Sequence, residues 1–565
     1  MRQQDIDVTS EVRITAGVPL LYIDGQPVPG TAYITYFTEN NRYADFADVG
    51  IRLYTMPVFF ARRTINERNN FPLFGEGIFD TNEPDFTIFD REIGKILEAR
   101  PDAWVFPRVN VNTTKKWDDA HPDEQCDFGY IDRRTCFSSD LWLEEVKRML
   151  GLFIKHVQNA PYARNVIGYQ IAGGNTEEWF SFDQKGSVGL RSREKFAEVC
   201  AKYRLEGSEE EYYIFLSEIA AHRICQLAEF TKELTERRLV VGSFYGYTFE
   251  CPFRTSNHHA LHRVLRCPDI DFLCSPASYA GKRITGRDIS NMLPIDSVKL
   301  HGKLYYSEND TRTHLTKFCC DNPNYTTPIW LGYDCETTLE VMKMQLARQI
   351  THGHASWWFD MWGGWYADER YMKLISDGRE LLERSIGLPG ASAAPLAVII
   401  DERSYAKLPE GVSGHAVGSA IREALGLSGV PYDAYLASDL DAVREMWKGG
   451  RYKALVLLIP AETPAMDRCI EAAESDRVKY LRITPENAGI SPAELREFCR
   501  SCGIKPLTDR DAVVYENESF IYINVPADGV YELHTDSELC DAFTGERCGN
   551  TLTLTALHGK LMRKR

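Results

Sequence analysis

One feature constrains this fold more than any other. Between residues 31 and 385, short apolar runs alternate with amphipathic helical segments eight times. The runs lie near Thr31–Phe37, Ile51–Tyr54, Ala103–Val109, Val166–Ile171, Leu239–Phe244, Ile270–Ser275, Lys303–Ser307 and Ala355–Phe359. They are continuously hydrophobic, as parallel strands covered on both faces must be. Between them, Leu143, Val146, Leu150, Phe153 and Val157 form an apolar stripe at helical spacing. Ser208 with Glu211, and Thr337 with Glu340, have the spacing of capping boxes that open helices. Eight strand–helix units predict a (β/α)8 TIM barrel with long loop insertions, and the overall class is α/β.

In such a barrel the chemistry collects at the C-terminal ends of the strands. Two strands here end on carboxylates. The fourth runs through Gly168-Tyr-Gln-Ile-Ala-Gly-Gly-Asn-Thr-Glu-Glu-Trp179, and the seventh through Lys303-Leu-Tyr-Tyr-Ser-Glu-Asn-Asp310. Strand ends share one face of the barrel, so Glu308 and a strand-4 glutamate are expected to converge across its mouth. Two such carboxylates suit hydrolysis of a glycosidic bond: one protonates the leaving oxygen while the other attacks the anomeric carbon or activates water.

After the barrel the pattern changes twice. Leu388-Pro-Gly-Ala-Ser-Ala-Ala-Pro395 reads as a linker. Apolar runs at Leu396–Ile400 and Ala454–Ile459, a helix over His415–Leu425 and a helix start at Ser491-Pro-Ala-Glu494 then predict a small doubly wound, flavodoxin-like α/β unit. This unit has no Gly-rich phosphate loop, so no cofactor is assigned to it. From about Ala512 the period falls to two, which predicts an antiparallel β-domain. The expected domains are therefore 1–388, 395–508 and 512–565.

Composition narrows the function classes. The net charge is −16, and basic residues cluster only at the extreme C-terminus, so nucleic acid is a poor partner. No run of 18 apolar residues is present and the first residues lack an apolar signal core, so neither membrane insertion nor a cleavable signal is expected. Fifteen cysteines at irregular spacings form no disulfide framework, and a cytoplasmic location is expected. Aromatics make up 12% of the chain, which suits a sugar-binding cleft and equally suits a large core.

With these residues in view, the chain resembles glycoside hydrolase family 42 and its relatives in the clan of retaining barrel glycosidases. The likeness rests on several features: the strand-4 carboxylate followed by an aromatic, the strand-7 Glu308, Asp271-Phe-Leu-Cys-Ser-Pro-Ala-Ser-Tyr279, Trp357-Trp358, and Pro395-Leu-Ala-Val-Ile-Ile-Asp-Glu402 at the start of the second domain. It implies an exo-β-glycosidase acting by double displacement, with β-galactosides ranked first and β-mannosides or another sister specificity second. It also implies an oligosaccharide or glycoside substrate, and a trimer built through the second domain. The family places its acid directly after an Asn; here the run is Asn175-Thr-Glu-Glu178, so either glutamate fits. Glu178 is preferred as the acid, because Gly173-Gly174 lengthens the turn and Trp179 is placed to shield its neighbour. Glu308 is then the nucleophile. Arg108, Asn175, Glu177, Tyr245, Tyr279, Trp358 and Trp362 are the expected substrate-binding side chains, with Tyr279 a donor to the nucleophile and the two tryptophans an apolar platform. Asn110 and Tyr247 are further candidates around the cleft.

The remaining motifs carry less. Cys499-Arg-Ser-Cys502 has redox spacing without a redox context, and His352 with His354 lacks a third ligand, so no metal is assigned. Two competing functions remain: a carbohydrate-binding barrel without catalysis, and a barrel enzyme of different chemistry that would need a metal cluster.

Overall fold

The structure, a computed structural model, describes residues 8–62, 77–126, 134–174, 176–180, 190–250, 254–317, 328–408 and 414–565. Its centre is a closed ring of eight parallel strands: β1 (Thr31–Ile34), β2 (Leu53–Tyr54 and Pro57–Phe59), β3 (Trp104–Val105 and Arg108–Asn110), β4 (Gly168–Ala172), β5 (Val240–Phe244), β6 (Phe272–Pro276), β7 (Leu304–Asn309) and β8 (Ala355–Phe359). β8 pairs with β1 and closes the ring. β2 and β3 are each interrupted and pair with one another twice, once through Leu53↔Trp104 and once through Pro57↔Arg108. Pro107, which has no N–H to donate, lies in the gap of β3.

The helices form the outer layer. Among them are α1 (Tyr43–Asp48), α2 (Thr87–Ala99), α3 (Asp140–Asn159), α4 (Glu209–Leu234), α5 (Leu261–Arg266), α6 (Ile295–Leu300), α7 (Cys335–His352) and α8 (Glu369–Ser385). α3 buries its expected stripe, and Ser208 and Glu211 form the expected capping box of α4. α7 begins three residues earlier than its Thr337 motif suggests. Its cap is Asp334, whose side chain accepts the Thr337 N–H. A hairpin that the sequence reading did not anticipate, Ser10–Thr15 with Val18–Ile23, covers the barrel end opposite the site: the Ser10 hydroxyl accepts the Val240 N–H and donates to the Ile167 carbonyl.

Beyond the barrel, four parallel strands stand in the order Tyr432–Leu436, Leu396–Ile400, Ala454–Leu458, Lys479–Ile483, with helices between them in sequence. The chain ends in antiparallel sheets that include Phe520–Asn524 and Gly559–Lys564. This last unit packs on the barrel through α7: Met344 and Ala347 share a buried cluster with Val513 and Phe520, and Arg348 donates to Tyr515. No described helix is long and apolar enough to cross a membrane.

Candidate active site

Arg108 is the hub of the barrel mouth. β3 directs its side chain inward, where it is 1% exposed and ringed by Phe244, Trp357, Phe359 and Tyr36, with its guanidinium carbon 4.7–5.6 Å from their ring centres. A cation so deeply buried needs anionic or acceptor partners, and each nitrogen has one. Nη2 donates to Glu308 Oε2 at 2.9 Å, Nη1 to the Tyr36 hydroxyl at 2.7 Å, and Nε to Gln170 Oε1 at 3.3 Å.

Glu308, at the end of β7, takes a second bond to the same oxygen from Trp357 Nε1 at 3.1 Å. The register explains this pairing. Glu308 lies directly opposite Trp357 on the adjacent parallel strand, so both side chains share a face. Burial raises the Glu308 pKa; Arg108 opposes that rise, and the nearby charge of Asp310 adds to it. Asp310 itself is held low by Arg283 and Arg312 against its own burial. Arg312, four residues after Glu308, is thus committed to Asp310.

The β4 exit is a strained turn. Gly174, Thr176, Glu177 and Trp179 all have positive φ, at 72°, 56°, 65° and 64°. Gly174 must be glycine: a Cβ there would come within 2.8 Å of the Phe180 carbonyl. The non-glycine residues cost about 1–3 kcal/mol each in this region, so the surroundings must hold them. Trp179 Nε1 donates to Ser243 Oγ at 2.9 Å, its N–H donates to the Gly173 carbonyl at 2.8 Å, and His258 Nε2 donates to the Glu178 carbonyl at 2.8 Å. His258 accepts the Gly246 N–H on Nδ1, which fixes its tautomer, and burial pushes its pKa down to about 3. A neutral imidazole therefore clamps the backbone that carries Glu178.

The turn sends its two glutamates to different places. Glu177 is 1% exposed; it accepts from the Tyr36 hydroxyl and, at 3.2 Å, from Asn110 Nδ2, and lies 3.9 Å from Arg108. Burial raises its pKa, against Arg108, Tyr36 and Asn110. Glu178 is half-buried and accepts from the Tyr247 hydroxyl at 2.7 Å. Burial first, then the Glu308 charge, push its pKa up to about 8.

The other expected residues divide. Asn175 lies outside the described residues. Tyr245 is turned away from the cleft: its hydroxyl donates to the Ser217 and Asn257 carbonyls and its ring stacks on His258, so it supports the wall from behind while Tyr247 faces the Glu178 carboxyl. Tyr279 donates to Asp310 Oδ2 at 2.7 Å instead of to Glu308. Trp358 points outward onto Tyr366, and its neighbour Trp357 takes the place beside Glu308. Trp362 sits in the loop after β8, edge-on to Trp365. Trp179 packs beneath the turn against Phe137. Tyr36, Trp357 and His258 were missed; a strand-end position marked the first two, and nothing local marked the third.

A closed parallel barrel followed by a doubly wound unit and a terminal β-unit is the fold of the family 42 glycoside hydrolases. Compared over whole structures, the chain is similar to the β-galactosidase of Bacillus circulans sp. alkalophilus, at 12% identity and a TM-score of 0.60, covering 95% of this chain and 99% of that one. It is similar to the β-galactosidase of Rahnella sp. R3 at 11% identity and a TM-score of 0.63, covering 95% and 98%. An exo-carrageenase of family 42 from Bacteroides ovatus aligns at 12% identity and 0.60, covering 98% of this chain and 84% of that one. By sequence, no family model and no curated protein matches the chain.

Proposed function

We propose that this protein is a retaining exo-β-glycosidase of the family 42 type, with β-galactosides its first-ranked substrates and β-mannosides the second. The observation that carries the reading is the asymmetry between two carboxyls, Glu308 and Glu178, the first of which acts on the second through its charge. Glu308 rests against a guanidinium and an indole N–H, both of which favour the carboxylate. Glu178 has a phenol partner, feels the Glu308 charge, and holds its proton up to about pH 8. Glu308 attacks the anomeric carbon as Glu178 protonates the departing oxygen. Glu178, now a carboxylate, deprotonates the water that releases the sugar, which requires carboxyl groups about 5–5.5 Å apart.

Glu177 is assigned a positioning role, because its oxygens are taken up by Tyr36 and Asn110. Arg108 orients the nucleophile, and Trp362 is the proposed sugar platform. The likeness to β-galactosidases also supports an oligosaccharide substrate, and a trimer formed through residues 395–508 is part of the same proposal. A panel of aryl β-glycosides tests the reading. Turnover of at least one sugar, lost in Glu308→Ala and recovered with azide, is expected. Sugar binding without turnover of any member would instead indicate a non-catalytic barrel.

A further inference from the structure

Along the chain beyond Glu308, three side chains of metal-ligating type meet from three separate elements. His314 lies in the loop six residues past Glu308, Cys335 is the first residue of α7, and Asp368 is the N-cap of α8. One donor atom from each lies within 4.8 Å of the other two, the only such trio of His, Cys or acidic donors among the described residues. They are 21 and 33 residues apart in the chain, a spacing that matches no sequence motif.

We infer that His314, Cys335 and Asp368 form a binding site for a divalent transition-metal ion, with zinc the best match. The donor set argues for the ion. A thiolate, an imidazole and a carboxylate together suit zinc, whereas magnesium and calcium take oxygen ligands. Tetrahedral zinc spaces its donors about 3.3–3.7 Å apart, so small side-chain rotations close the site and leave a fourth position for water.

The surroundings have the form of an outer shell. His314 Nδ1 lies 2.7 Å from the hydroxyl of the fully buried Tyr371. With Nδ1–H donated to that oxygen, Nε2 keeps its lone pair, 3.8 Å from Asp368 Oδ2. Arg370 grips the Asp368 carboxylate through Nε at 3.0 Å and Nη2 at 2.7 Å, which fixes its direction. Against the arginine charge, the thiolate and carboxylate bring two negative charges toward the ion. The neighbouring Thr313 hydroxyl already donates to the Trp365 carbonyl. A metal here would tie the loop leaving the β7 glutamate to the starts of α7 and α8.

The test needs no substrate, so its outcome is separate from that of the glycosidase reading. Full-length protein is stripped with a chelator and titrated with Co2+ and Zn2+. Wild type is expected to bind one more equivalent than Cys335→Ser, to show a thiolate-to-cobalt charge-transfer band that Cys335→Ser lacks, and to melt higher with Zn2+. His314→Ala, at an exposed position, should lose the same equivalent and serves if the cysteine variant fails to fold. Equal stoichiometry and identical cobalt spectra in wild type and both variants, or no metal bound by wild type, would overturn the assignment.

Discussion

Replacing Glu178 with Gln removes the proton donor while keeping its shape, and the consequences can be worked out in sign and size. The carboxyl of Glu178 has its pKa pushed up to about 8 from an ordinary 4.5, chiefly by burial and then by the Glu308 charge. The acid form does the work, so kcat/KM for an aglycone that needs protonation should fall as pH rises through about 8. In Glu178→Gln that alkaline limb should vanish. The rate on a poor leaving group should drop about 10²–10⁴-fold, while dinitrophenol, which departs without a proton, should lose far less. Stability supplies a second readout. A carboxyl with a raised folded pKa stabilises the fold fully below about pH 4.5, and this contribution is lost as pH rises through about 8. That rise to about 8 corresponds to at most about 5 kcal/mol, and partial exposure reduces this to roughly half. Glu178→Gln should therefore melt with a flatter pH dependence than wild type between pH 5 and 8. If the variant keeps the alkaline limb, or loses equally on all leaving groups, Glu178 is not the acid.

Three further outcomes follow from the contacts around it. Arg108→Met leaves Glu308 and Glu177 buried without their cation; a loss of about 3–5 kcal/mol in unfolding free energy is expected by denaturant titration, along with loss of turnover. Trp357→Phe, which removes the N–H to Glu308, should lower kcat, whereas Trp358→Phe should leave kcat and KM near wild type; steady-state kinetics on the pair checks which face each indole occupies. In Glu308→Gln the Glu178 pKa, followed by carbon-13 NMR of labelled glutamate, should fall below about 8 yet stay above 4.5, because burial outweighs the lost charge.

Much of this architecture was legible because it depends on local patterns. Buried parallel strands advertise themselves as unbroken apolar runs, and Ser208 and Ser491 do cap their helices through Glu211 and Glu494. Glu308 could be placed because a strand end in a barrel has only one side to face. The errors come from parity and from long-range choice. A one-residue uncertainty in where β8 leaves the barrel exchanges inside for outside, which is why Trp358 is the expected platform and Trp357 is the indole that bonds Glu308. Tyr245 and Tyr247 pose the same problem after β5. The pairing of Tyr279 with Asp310 depends on Arg283 and Arg312 gathering there, which no local pattern encodes. The His314–Cys335–Asp368 trio was invisible for the same reason, since its members come from three unrelated elements.

The central claim is that Glu308 forms the covalent bond to the sugar. The most direct measurement uses the 2-deoxy-2-fluoro dinitrophenyl analogue of whichever aryl glycoside is turned over, with peptide mapping of the inactivated protein by mass spectrometry. A single sugar adduct on Glu308, formed with release of one equivalent of dinitrophenolate, is predicted. An adduct on Glu177, Glu178 or any other side chain would contradict the account.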